Sequence, residues 1–345
     1  MENNKVRFSL RLLGNLGPTP LYQEACREAE ALGFDECWFS HDILMPNSWV
    51  RSTAVAAVTR RIKIGYMAVP FTLDPSEIAT FAATLDEYSG GRVVIGTGSH
   101  TRVMYDWIGL GDRDVVELTR ETVHLVRGLL EGRRMAHSGR FYRWTDEAYL
   151  RFTPPRRRIP IYIMCYGREL CELSGEIGDG SMPMATPPEA FDIPVSYIEA
   201  GARRAGRDPS EVDRVAFAWV YYAPDGSVDE GALRRVISYF VPYLDQEMLS
   251  RIGITREDVL PIARRLAAGD YEGAAREVTD RMLDLVIRGG PDDIVRGIET
   301  LIEKGATSVS IGGPLGRNPV EAVRGIGERV LPHFRGNRGP SEMLG

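Results

Sequence analysis

Cysteine is scarce: Cys26, Cys37, Cys165 and Cys171 are the four in a chain of 345 residues. Five residues separate Cys165 from Cys171, which matches no usual metal spacing, and no histidine pair accompanies them. No disulfide framework and no metal centre are expected. The four read as reduced, partly buried thiols of a cytoplasmic protein. An apolar run of about 18 residues is absent, as is a basic-then-apolar start, so the expectation is a soluble chain without membrane contact. Charge of one sign is lacking too. Lys and Arg total 42 against 48 Asp and Glu, a net charge of −6, and no basic stripe stands out, so nucleic acid is not an expected partner. The one basic run of note, Arg156-Arg157-Arg158, follows two prolines and reads as a solvated loop. No repeat of solenoid length occurs, and low complexity is confined to a polar tail at 336–345.

What is present is ordinary for a globular protein. The chain is 43% hydrophobic and 26% charged, enough apolar material to bury a core without staples. Apolar β-branched runs alternate with stretches of helical spacing. Strands are expected at 6–13, 34–39, 62–69, from 92 to 95 and running into Gly96-Thr97-Gly98-Ser99, and at 159–165, 180–185, 214–222 and 308–311. Helices are expected at 21–32, 49–59, 76–88, 114–131, 167–177, 188–205, 291–304 and 320–331, several of them stopped by glycine at Gly33, Gly90, Gly206 and Gly305. Gly139, near Phe141 and Trp144, marks a small hairpin. Residues 226–288 break the rhythm and read as an all-helical insertion before the last βα unit, with Phe240, Tyr243, Leu244 and Met248 as its apolar face.

Eight strands alternating with eight helices, without a composition break, predict one α/β domain over 1–335, a (β/α)8 TIM barrel. An open doubly wound sheet shares the alternation, because periodicity cannot show closure. In a barrel the chemistry lies at the C-terminal strand ends. Strand two delivers Ser40, His41 and Asp42; strand three Met67, Ala68 and Val69; strand four Gly96, Thr97, Gly98, Ser99 and His100. Strand five delivers Cys165, Tyr166, Gly167, Arg168 and Glu169, and strand eight Gly312 and Gly313. Glycine lets backbone N–H groups approach an anion, and Gly167 opens a helix whose N-terminus favours a phosphate. Turn geometry alone explains any one glycine; three clusters on one rim point to an anionic ligand. His41 and Asp42 are the acid–base candidates, with His100 in reserve. A hydrogen-bonded loop histidine is the alternative reading for both His41 and His100.

These motifs together resemble the bacterial luciferase-like barrel family, and within it the deazaflavin-dependent branch typified by methylenetetrahydromethanopterin reductase. GFDECWFSHD (33–42), IKIGYMAVPFTLDPSEIATFAATLDEYSGGRVVIGTGS (62–99), IPIYIMCYGRELCELSGEIGDG (159–180) and GATSVSIGGPLGRNP (305–319) carry the likeness. The resemblance implies coenzyme F420 across the rim, held by Ser40, Met67, Ala68, Gly96, Thr97, Gly98, Ser99, Tyr166, Gly167, Arg168 and Glu169, with Gly312 and Gly313 closing the pocket floor. It also implies a bulged third strand with a non-prolyl cis bond at Met67–Ala68. Two positions depart from the family pattern. The order here is His41 then Asp42, where relatives carry an acidic residue then histidine, and Ser99 stands where several have a carboxylate.

The implied activity is hydride transfer between the deazaflavin and a small-molecule substrate, with His41 donating a proton or anchoring substrate and Asp42 orienting it. A homodimer and a separate reductase that supplies reduced cofactor are the implied partners. FMN-dependent monooxygenation is the alternative on the same fold. FMN-using relatives tend to have a serine-rich loop after strand five, and residues 165–169 hold no serine. A member without catalysis, binding a ligand through the same rim, is the third reading.

Overall fold

The computed structural model describes residues 6–99, 105–111 and 113–335. His100 and the tail at 336–345 lie outside the described residues. Eight parallel strands build the interior: β1 Arg7–Leu12, β2 Glu36–Phe39, β3 Lys63–Ala68, β4 Val93–Gly98, β5 Ile161–Cys165, β6 Gly180–Pro183, β7 Asp213–Tyr222 and β8 Ser308–Leu315. Each pairs with the next in chain order, and β8 pairs with β1, so the sheet closes. Closure decides between barrel and open sheet. The outer helices are α1 Thr19–Ala31, α2 Ser48–Val58, α3 Pro75–Ser89, α4 Val115–Leu130, α5 Gly167–Ile177, α6 Asp192–Arg204, α7 Pro291–Glu303 and α8 Pro319–Arg329.

Local chemistry sets these boundaries. The Asp74 carboxylate accepts the Ser76 N–H, Pro75 supplies a helical φ, and Gly90 ends α3 in the left-handed region at φ 71°. Strand alternation then sorts the side chains. Phe8, Leu10, Leu12, Ile64, Tyr66, Val93 and Ile95 pack outward in the large cluster beneath the helices. Trp38, Met67, Val94, Tyr162, Met164, Met182 and Phe217 belong to a second cluster that fills the barrel.

The N-terminal floor of the barrel is charged. Arg7 pairs with Asp213, which also accepts from Tyr162 Oη at 2.9 Å and from Ser308 Oγ at 3.0 Å. Glu36 accepts from Trp38 Nε1 at 3.1 Å and pairs with Lys63 at 3.4 Å. Burial raises the Glu36 pKa, with Lys63 and Arg7 opposing.

Four sequence-based expectations change. The insertion at 226–288 is not all helical. Besides Glu230–Phe240, Gln246–Arg251, Arg256–Ala267 and Tyr271–Glu277 it holds a strand at Ile287–Gly289 that pairs in parallel with β7. Three residues are too few to show a period. β8 runs to Leu315 rather than ending at Ile311, because its Gly-Gly-Pro stretch stays extended.

The Met67–Ala68 bond is trans; the cis bond among the described residues is Gly313–Pro314. β3 keeps register with β4 through Met67 opposite Gly96 and Ala68 opposite Thr97. No bulge is there to enforce a bond that costs ~3–4 kcal/mol. The register shift lies in β8 instead, between Gly312 and Leu315. Finally, Arg156 and Arg158 are not merely solvated. Arg156 forks onto the fully buried Asp86 at 2.8 and 2.5 Å, and Arg158 pairs with Asp179 at 2.7 Å. Asp86 and Asp179 lie far from the arginine run in sequence.

Candidate active site

The end of β2 brings Ser40, His41 and Asp42 to the rim together. Ser40 is buried, and His41 and Asp42 are half-buried. His41 Nδ1 and Ser48 Oγ share a hydrogen bond of 3.1 Å. Ser48 opens α2, whose first turn is capped by Asn47. The imidazole is therefore held from the helix side. The Asp42 carboxylate lies over Gly14, where a Cβ would stand 3.1 Å from Oδ2. That part of the β1–α1 loop is pinned by Arg51, which donates to Gly14 O at 2.7 Å, Gly17 O at 3.0 Å and Tyr22 Oη at 2.6 Å. The candidate acid–base pair thus sits on two anchored segments.

The rim glycines divide by what they make room for. At Gly96 a Cβ would stand 3.0 Å from Trp38 Cζ3 and 3.4 Å from Met67 Cγ. At Gly312 it would collide with the Arg11 guanidinium, and at Gly313 it would stand 2.6 Å from Leu13 Cδ1. These three admit the protein's own side chains. Gly98 has φ 130° and approaches Met164 O too closely for any side chain. Ser99 follows it, buried, with its N–H donating to Met164 O at 3.1 Å. Alternation turns Ala68 and Thr97 toward the helices, so only their backbone faces the interior. Met67 points inward.

Gly167 is the glycine with open space, at φ 75° with nothing within 4 Å of an added Cβ. It starts α5. Tyr166, at the N-cap, makes no side-chain capping bond to the first N–H groups of α5, the groups of a helix that suit an anion. Arg168 and Glu169 are exposed. The Arg168 guanidinium turns along α5 to Glu172 at 2.6 Å and lies 5.3 Å from the Tyr197 ring, away from the barrel axis.

Sequence reasoning missed Arg11. It is the last inward-facing residue of β1, 1% exposed, level with Gly312 on β8. Its guanidinium carbon lies 3.6 Å from the Phe217 ring centre, and Nη2 donates to Ala218 O at 3.1 Å. Burial pulls its pKa down to about 9, while Tyr166 and Asp42 pull it back up, so it is a cation at neutral pH. The signal in the sequence was Arg7, Ser9 and Arg11 at period two, a polar face on a strand that a barrel turns inward. Trp219, on β7 at the same level, packs edge-on against Phe240 of the insertion at 4.7 Å, which brings the insertion to this side of the mouth.

A deazaflavin suits these residues. Arg11 Nε and Trp219 Nε1 are buried donors without an acceptor among the described residues, and a ring bearing carbonyl and nitrogen acceptors would take them. The open start of α5 suits a phosphate-bearing tail. Among the described residues no group of three or more His, Cys, Asp or Glu is placed to hold a metal ion, and no helix is long and apolar enough to cross a membrane.

The profile of the luciferase-like monooxygenase family matches residues 21–308. The chain is similar to 5,10-methylenetetrahydromethanopterin reductase of Archaeoglobus fulgidus, 32% identical over 313 residues that cover 89% of this chain and 93% of that protein. It is similar to F420-dependent glucose-6-phosphate dehydrogenase of Amycolatopsis mediterranei, 25% identical, covering 92% and 95% of the two chains. Among solved structures, the coenzyme F420-dependent tetrahydromethanopterin reductase of Methanopyrus kandleri superposes with a TM-score of 0.87 at 28% identity, covering 96% of this chain and 99% of that one.

Proposed function

This chain belongs to the luciferase-like monooxygenase family and is a coenzyme F420-dependent oxidoreductase; we propose that it passes a hydride between the deazaflavin ring and a small organic substrate, with methylene-bridged, methanopterin-type reduced pterins as the first class to test. The observation that carries the reading is the near full-length likeness to reductases of that cofactor. The bound deazaflavin supplies the hydride-accepting or hydride-donating carbon.

The residues of this chain supply the rest. Arg11, Trp219 and the first turn of α5 would hold the cofactor. Trp38, Met67 and Met164 form the apolar floor that keeps water from below the mouth. His41, steadied by Ser48, delivers or removes the proton that accompanies hydride transfer, and Asp42 supports it electrostatically. A homodimer, and a separate enzyme that returns the cofactor to its reduced form, complete the proposed picture.

Titration of the purified protein with F420 and, in parallel, with FMN tests the assignment. The expected result is saturable F420 binding in the low micromolar range and no comparable FMN binding. Tight FMN binding with no affinity for F420 at tens of micromolar overturns it.

A further inference from the structure

Two arginines share the inner face of β1, and the barrel treats them oppositely. Arg7, on the floor, meets a carboxylate: it pairs with Asp213 and donates to Tyr162 Oη at 3.2 Å. Arg11 lies four residues further on, about 13 Å nearer the mouth. No carboxylate of the described residues reaches it at ion-pairing distance, and the hydrogen-bond acceptor it meets among them is Ala218 O. The Phe217 ring lies 3.6 Å from its guanidinium carbon, and a β-carbon on Gly312 would collide with that carbon, Nη2 and Nε. Nε is buried without an acceptor among the described residues.

Stability does not explain this. Burying a cation costs several kcal/mol unless an anion and its full set of acceptors compensate. Met67, Met164, Met182 and Phe217 show what the upper interior otherwise accepts, and a methionine at position 11 would avoid that cost. Gly312 is further expense for the same group. It forgoes a side chain on β8 so that the guanidinium can lie flat against the strand.

We infer that Arg11 is the anion-binding group of the catalytic pocket, its free edge receiving a delocalised negative charge brought in by the ligand. The inference rests on the F420 reading of the site and deepens it. Two ligands bring such a charge: the reduced deazaflavin ring, whose pyrimidine portion carries it, and a substrate carboxylate. Asp42 and Tyr166 are the titratable groups that act on Arg11 electrostatically. At neutral pH Arg11 presents a fixed positive charge to whatever occupies the mouth.

The test compares the full-length wild-type protein with Arg11→Met, Arg11→Lys and Gly312→Ala. Affinities are measured anaerobically for oxidised F420, for reduced F420 and for benzoate as a carboxylate probe. Arg11→Met is expected to weaken reduced F420 by about tenfold or more relative to oxidised F420, with Arg11→Lys close to wild type in that ratio. Gly312→Ala, which crowds the guanidinium and leaves its charge, shifts the ratio in the same direction. Loss of benzoate affinity with an unchanged redox ratio also supports the inference and assigns the charge to substrate.

If Arg11→Met does not fold, Gly312→Ala carries the comparison, with Arg11→Lys as the charge-preserving control. Arg11→Met or, failing it, Gly312→Ala that alters neither the redox ratio nor benzoate affinity beyond about twofold overturns the inference. Failure of wild-type protein to bind oxidised F420 overturns the cofactor assignment instead, and the benzoate arm then decides the role of Arg11.

Discussion

The indole of Trp38 lies against the Cα of Gly65, where a β-carbon would collide with three of its ring atoms. Trp38 is wholly buried and meets the Tyr162 ring at a 40° tilt with ring centres 5.6 Å apart. The middle of the barrel is thus one large side chain fitted to a missing one. Gly65→Ala should destabilise the fold by about 1–3 kcal/mol through overpacking, with F420 affinity falling as Trp38 is pushed toward the mouth. Denaturant unfolding checks the first part. An unchanged midpoint would mean that Trp38 can move aside at no cost.

A second stability prediction concerns Arg156. Its fork onto Asp86 stands beside a third bond, from the Val93 N–H to Asp86 Oδ1 at 3.0 Å. Asp86 is fully buried and the Arg156 side chain is about one-third exposed. Arg156→Met leaves a buried carboxylate short of its counter-ion. The full cost of such a break is about 3–5 kcal/mol, and solvent near Arg156 reduces it to roughly 2–3 kcal/mol. Arg157→Met, one residue along, should change stability by no more than about 0.5 kcal/mol. Equal effects of the two in urea unfolding would contradict the assignment.

His41 carries the proton-transfer prediction. His41→Gln should lower the rate of F420-linked turnover by about 10²–10⁴-fold while the dissociation constant for F420 changes by less than about threefold. Ser48→Ala frees the imidazole from its 3.1 Å partner and should give a smaller loss, with a shifted pH–rate profile. Steady-state kinetics with a separate F420 binding curve divides the two quantities. Loss of F420 binding in His41→Gln would make the residue a cofactor contact.

Acid stability should depend on Glu121. Burial opposes its charge, but His137 and the N–H groups of Arg140, Tyr142 and Phe141 hold its pKa below the ordinary 4.5. A carboxyl lowered on folding contributes fully above its unfolded value and loses that contribution as pH falls through the folded value. The contact that fastens the hairpin of His137–Ser138 and Arg143–Trp144 to α4 should therefore weaken below about pH 4.5. Glu121→Gln should start less stable near neutral pH and show a shallower acid loss. Melting temperatures recorded across the acid range check this, and parallel curves for the two proteins would contradict it.

Much of this architecture was legible in the residues. Gly33, Gly90, Gly206 and Gly305 punctuated the helices, and the placement of His41 and Asp42 followed from the end of one strand. Closure was not legible, because strand order and pairing are long-range facts; Arg7 meets Ser308 across the seam. Arg11 was hidden for a related reason. Alternation shows that Arg7, Ser9 and Arg11 share a face, but only closure makes that face the inside. In the sequence the rim glycines suit a cradle for ligand, whereas the structure gives Gly96 to Trp38 and Gly312 to Arg11. Their partners come from other strands, which no local pattern displays. Arg168 stands at the start of α5, where the strand–helix rhythm puts it, yet its side chain follows Glu172, one turn on, away from the mouth.

Transfer of label from the cofactor tests the central claim most directly. F420 carrying deuterium at both positions of the reduced ring carbon is turned over by the protein, with and without oxygen, on a methylene-bridged tetrahydromethanopterin substrate. Deuterium is expected in the product, one atom per cofactor oxidised, at a rate unaffected by removing oxygen. Turnover that requires oxygen, or that proceeds with FMN and leaves the label in the deazaflavin, would contradict it.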